Sequence, residues 1–227
     1  MLCLLECLKI FEKCLSFDFN AILLNETLED ASCTNFPVTW RALLLDPQST
    51  AVKSLFAVIG LQSAGLTEQK VAACQCLAHL ANIRCSIFET QETRIFFLQS
   101  FIQELLASLT QHTRIASFVL TDKHLFKDFL SVITKLQFNF QIRDIRRVGD
   151  PLMEAYLVEV FNFTIRSFQQ GAANRGILSQ AIKLCNFWQR VIFEGMTLKV
   201  QCQAQLEQIT NQLVPAFLDA QLHLCES

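Results

Sequence analysis

Apolar side chains recur every three or four residues along nearly the whole chain, and that period belongs to helices packed through one face. Leu2, Leu5, Leu8, Phe11 and Leu15 set the pattern, and Val52, Leu55, Phe56 and Ile59 repeat it. A β-rich chain needs frequent turns, yet only 6 Gly and 4 Pro are spread over 227 residues, well under their usual share. The periodicity therefore predicts an all-α protein with no strand.

Punctuation divides the stripes into eight helical segments. Residues 16–40 are more polar and read as a loop after the first helix. Asp46-Pro47 opens the second, because Asp can cap free amides and Pro tolerates the first helical position. Thr67 caps the third, which turns Val71, Cys74, Leu77, Ala78 and Ala81 inward. A long helix follows from Gln91, striped by Ile95, Leu98, Ile102, Leu105 and Leu109. Asp122 caps the next, ahead of Leu125, Phe129, Ile133 and Leu136, and Asp150-Pro151 starts another that Gly171 helps to end. Leu178 to Ile192 mark the seventh, closed by Gly195; Leu198 to Leu213 mark the eighth, with Pro215 kinking or restarting it before Leu222.

Alternate helices begin at intervals of roughly 45–60 residues, the scale of a HEAT-type pair with variable loops. Leu15-Ser-Phe17-Asp18-Phe19 resembles Leu136-Gln-Phe138-Asn139-Phe140, and both pentapeptides end apolar helices. The expected architecture is an α-solenoid of HEAT-like antiparallel helix pairs, one continuous segment over 1–227. Each pair touches only its neighbours, so such stacks work through surface contact.

The 52% hydrophobic content and mean hydropathy of +0.32 are high for such a stack. A membrane span needs ~20 consecutive apolar residues, and Arg84, Arg94, Glu104, Lys135, Glu154 and Glu159 interrupt each candidate run. Met1–Leu5 is apolar, but Glu6 and Lys9 follow it at once, the reverse of a signal peptide. A fragment of a much longer stack, with end faces once covered, accounts for the excess better. Formal net charge is −2 with both signs mixed, which gives nucleic acid no basic footprint. The 10 cysteines mostly sit among apolar neighbours and read as small buried hydrophobes, reduced in cytosol or nucleus.

Catalytic, cofactor and metal sites are not expected. His79, His112, His124 and His223 are scattered, and His79 reads as a core or boundary residue. No Gly-rich phosphate loop is present. Cys3, Cys7 and Cys14 share one helix face, but zinc sites pair two close ligands with a second close pair. The densest basic cluster is Arg143, Arg146 and Arg147. It is the candidate grip for an acidic partner or phosphate; the plainer reading is a solvated turn with Asp144 and Asp150 as counter-charges. Phenylalanine at helical spacing, 20 residues in all, reads as core more than as a peptide groove.

Several segments from Cys14 to Ala220 then carry a resemblance. They are Cys14-Leu-Ser-Phe-Asp-Phe19, Phe36-Pro-Val-Thr-Trp40-Arg41 and Leu45-Asp46-Pro47; Phe126-Lys-Asp-Phe-Leu-Ser-Val-Ile-Thr-Lys-Leu136 and Tyr156-Leu-Val-Glu-Val-Phe-Asn-Phe-Thr164; and Leu184-Cys-Asn-Phe-Trp188-Gln-Arg190 and Pro215-Ala-Phe-Leu-Asp-Ala220. In order and spacing the series resembles the exportin-7 and Ran-binding protein 16 and 17 class of the importin-β, or karyopherin, superfamily. The resemblance implies a HEAT-repeat superhelix that carries protein cargo through the nuclear pore under Ran-GTP control. It implies nucleoporin contacts and residence in both cytoplasm and nucleus. Ran-GTP would be held mainly by repeats outside this segment, and no functional residue transfers. The rival reading is a HEAT or armadillo scaffold without Ran dependence; an all-α enzyme and a membrane-bound amphipathic helix rank below it.

Overall fold

The computed structural model describes residues 2–17, 34, 36–46, 49–83, 87–114, 122–171, 175–198 and 203–225. These residues form α1 (Leu2–Ser16), α2 (Arg41–Leu44), α3 (Ala51–Gly60), α4 (Thr67–Ala81), α5 (Gln91–Arg114), α6 (Lys123–Asn139), α7 (Ile142–Arg146), α8 (Asp150–Gly171), α9 (Arg175–Ala181), α10 (Lys183–Leu198) and α11 (Gln203–Cys225). Eight are long and, with α9 carrying the start of the seventh stripe, match the eight expected stripes; α2 and α7 are short insertions. Among the described residues there is no strand, only one isolated parallel bridge between Thr34 and Ile83.

The long helices alternate between two layers. α1, α4, α6 and the α9–α10 pair lie side by side in one, and α3, α5, α8 and α11 in the other. The α4–α6 contact is the most extensive. This is an α-solenoid of HEAT-like pairs, and one cluster of buried apolar residues runs between its layers. Aromatic rings pack within and between the layers: Phe56 meets Phe101 edge-on at 5.6 Å within the second layer, while Phe129 meets Phe163 at 5.5 Å and Phe161 meets Trp188 at 6.2 Å across the two. Each such pair adds about 0.5–1.5 kcal/mol beyond its burial, so the Phe stripes are indeed core.

Long-range polar bonds disclose the repeat length. Arg41 Nε donates to the Ile87 carbonyl across 46 residues, and Gln111 Nε2 to the Gly60 carbonyl across 51. Gln75 Nε2 donates to Asp128 across 53, and Asn139 Nδ2 to the Ile83 and Ala81 carbonyls across 56 and 58. A helix has four free carbonyls at its end, and here the next repeat supplies a donor to one such carbonyl on α3, Gly60, and to one on α4, Ala81. The described residues of the two similar pentapeptides match: Leu15 and Leu136 are fully buried, while Phe17 and Phe138 are exposed, each at the end of a first-layer helix; Asp18 and Phe19 lie outside the described residues.

Several helix ends differ from expectation. Asp122 does cap α6, its Oδ1 accepting from His124 N at 2.8 Å and Leu125 N at 2.9 Å. Asp46 instead sits in a turn, its carbonyl accepting from Ser49 N, and α3 starts at Ala51, whose N–H is taken by Ser49 Oγ at 3.3 Å. The N-cap of α3 is Thr50, without a side-chain cap bond; Pro47 lies outside the described residues. Thr67 is the first residue of α4 and not its cap, which is Leu66. The seventh stripe breaks into α9 and α10 around Ile182, and α10 runs past Gly195 to Leu198. Pro215 stays within a continuous α11. Most of the 16–40 loop, with Cys33, and also Cys85 and Cys202 lie outside the described residues.

Candidate interaction surface

Two of the three candidate arginines, Arg143 and Arg146, belong to α7, a five-residue helix packed against α5, α8 and α10, and Arg147 is its C-cap. Short helices have little intrinsic stability, and this one is pinned from outside. Glu194 of α10 accepts from the Ile142 N–H at 2.7 Å. Beneath it, Asp144 is nearly buried and receives Arg94 Nη2 of α5 at 3.1 Å. The Arg94 guanidinium also lies 5.2 Å from the Phe140 ring centre, a cation–π contact that helps offset its desolvation.

Above that pair the candidates diverge. Arg146 Nε bonds Asp150 at 3.2 Å, and Arg147 Nη1 lies 3.8 Å from Asp144. Asp144 and Asp150 are thus the counter-charges that the plainer reading named. Arg143 is exposed, and among the described residues no carboxylate lies within ion-pair distance of it. Exposed pairs contribute only ~0–1 kcal/mol, so Arg143 and Arg147 can turn toward a partner at small cost.

The sequence reading missed four neighbours of this cluster: Arg94, Phe138, Arg190 and Phe193. Arg190 of α10 covers the Phe138 ring at 4.9 Å, and Phe193 is 73% exposed. Phe193 could have been found, because it lies off the stripe that Trp188 and Ile192 define. The Arg94–Asp144 pair could not, since 50 residues separate its members.

A second polar row crosses α1, α4 and α6. His79 Nε2 lies 3.6 Å from Glu12 Oε1. Burial, aided by the nearby Lys135 charge, holds the His79 pKa below its usual range. Burial likewise raises Asp128 and lowers Lys135. His79 faces a carboxylate and not a thiol or hydroxyl, so the row has no nucleophile for its base. Cys76 sits in the core, its thiol pushed up to about 12 by burial and directed at the Leu8 carbonyl. Cys3 and Cys7 are exposed and Cys14 is half-buried. Among the described residues no group of three or more His, Cys, Asp or Glu is placed to hold a metal ion, and no helix is long and apolar enough to cross a membrane.

In the other layer, α8 and α11 leave an open cleft of about 820 Å³ whose walls include Phe161, Ile165, Arg166, Pro215 and Asp219. The molecule thus offers surfaces and grooves for other macromolecules, as helix-pair stacks do.

Its similarities point the same way. The chain is 23% identical over 217 residues to Ran-binding protein 16 of Drosophila melanogaster, 95% of its length. It is 23% identical to Exportin-7-B of Xenopus laevis and 25% to Ran-binding protein 17 of Homo sapiens, each over 96% of its length. The matched stretch is 18–19% of those relatives, so the chain spans about a fifth of their length. No family model matches the sequence, and no solved structure gives a significant match.

Proposed function

We propose that this chain is a segment of a nuclear transport receptor of the exportin type. It contributes a length of flexible superhelix that helps carry protein cargo through the nuclear pore. The observation that supports this most is a single one: similarity to exportin-7 and Ran-binding proteins over at least 95% of the chain, on a two-layered stack of helix pairs. Each pair touches only its neighbours, so small angular changes add along the stack. Cargo and Ran-GTP each favour one curvature, and their affinities are reciprocally coupled. Ran-GTP and nucleoporins bind mainly through other parts of the full-length protein, which moves between cytoplasm and nucleus. Arg143, Arg146 and Arg147 are the candidate contacts within this segment.

The test is cargo pull-down by the full-length protein with and without Ran-GTP. Cargo retention that changes with Ran-GTP is expected. Retention indifferent to Ran-GTP would overturn the reading in favour of a HEAT or armadillo scaffold without Ran dependence. Sub-micromolar Ran-GTP binding by the isolated 227-residue chain would contradict the placing of Ran contacts elsewhere.

A further inference from the structure

The surface where α6, α7 and α10 meet carries both charge and exposed aromatic rings. Ile142 N and Glu194 are joined at 2.7 Å, which docks α7, with exposed Arg143, against α10, with exposed Phe193. Arg190 lies one turn before Phe193 and covers Phe138, which is 50% exposed. Arg147, the C-cap of α7, lies four residues after Arg143, and its side chain is 53% exposed.

The charges do not balance. Five guanidiniums (Arg94, Arg143, Arg146, Arg147 and Arg190) meet three carboxylates (Asp144, Asp150 and Glu194). Arg94 with Asp144, and Arg146 with Asp150, neutralise one another. The surplus positive charge therefore resides on Arg143, Arg147 and Arg190, the last of which lies over the Phe138 ring. Arginine and aromatic side chains together are what interface centres favour, and an acidic segment is steered to such a patch.

We propose that this patch binds an acidic protein segment bearing an aromatic or large aliphatic anchor. Carboxylates of the segment engage Arg143 and Arg147, and its apolar residue packs on Phe138 and Phe193. The inference rests on the reading of the chain as a protein-binding stack, but not on Ran control.

The test is fluorescence anisotropy of the purified chain with a labelled dodecapeptide of Asp and Glu carrying two Phe. Saturable binding that weakens at high salt is expected. Arg143→Glu with Arg147→Glu should cut affinity at least about tenfold, and Phe193→Ala by about three- to tenfold. Phe193 is mostly exposed, so its loss leaves the fold intact, which far-UV circular dichroism checks. Lys53→Glu, on exposed α3 surface in the other layer, should change nothing. Four results would overturn the proposal: no binding, equal binding of a peptide with Ala in place of Phe, equal loss on Lys53→Glu, or tighter binding of an RNA of equal charge. Peptide binding together with Ran-indifferent cargo retention keeps this inference and removes the transport reading; the opposite pair of results removes only the patch.

Discussion

Thr164 and Trp188 tie the second layer to the first through one hydrogen bond, which makes the pair a direct probe of how the layers cohere. Both side chains are buried, at 0% and 3% exposure. Trp188 Nε1 donates to Thr164 Oγ1 at 3.0 Å, and that hydroxyl donates onward to the Val160 carbonyl at 2.7 Å. Thr164→Val keeps the shape but deletes the acceptor. The Trp188 N–H is then buried without a partner, a cost of about 1–3 kcal/mol. The added methyl returns up to ~0.8 kcal/mol. The Val160 carbonyl keeps its helical bond and loses little. A net destabilisation of about 1–2 kcal/mol follows, which lowers Tm by roughly 2–8 °C in a chain of this size.

The assay is urea unfolding followed by far-UV circular dichroism, with an unchanged slope showing that compactness is unaltered. A double-mutant cycle with Trp188→Phe isolates the pair, because the double variant has no orphaned donor. It should be more stable than the sum of the single losses predicts, by at least ~0.5 kcal/mol. Thr164→Val within about 0.5 kcal/mol of the natural protein, or strictly additive losses, would refute the reasoning.

Three further outcomes are expected. Arg94→Met strips Asp144 of its 3.1 Å partner and should cost about 3 kcal/mol by thermal unfolding, with Arg94→Met/Asp144→Leu recovering much of it; an unchanged Tm for the single variant contradicts this. His79 has its folded pKa held below the 6.5 of the free side chain, so the unfolded state takes its proton first and the His79 contribution to stability is lost as pH falls from 6.5 toward the folded value. His79→Gln should flatten that fall in pH-dependent melting, and an unaltered profile would show that His79 is not its source. The outer helices expose Ile10 on α1, with Phe17 directly after it, and Val214, Leu218 and Leu222 on α11, stripes that monomers seldom leave open. The isolated chain should self-associate with concentration in sedimentation, and Ile10→Glu with Leu218→Glu should suppress it; a concentration-independent natural monomer counts against the idea of a stack with bared ends.

Helix content and the inward faces were legible because a stripe such as Leu125, Phe129, Ile133 and Leu136 is written into a local period, and burial simply obeys it. The Asp122 cap was legible for the same reason: its acceptor and the two amides it serves are within three residues. Local signals failed at Asp46-Pro47, where the helix begins only at Ala51 with Thr50 at its N-cap. The candidate surface was only partly readable. Arg143, Arg146 and Arg147 stand out in the chain, but their meaning depends on Arg94, Glu194 and Phe193, which arrive from helices one repeat away. Sequence alone therefore determined the helices, their greasy sides and the pairing scale. The tertiary structure decided which charges cancel and which remain outward, because Coulomb partners and desolvation are properties of neighbours in space and leave no period in the chain.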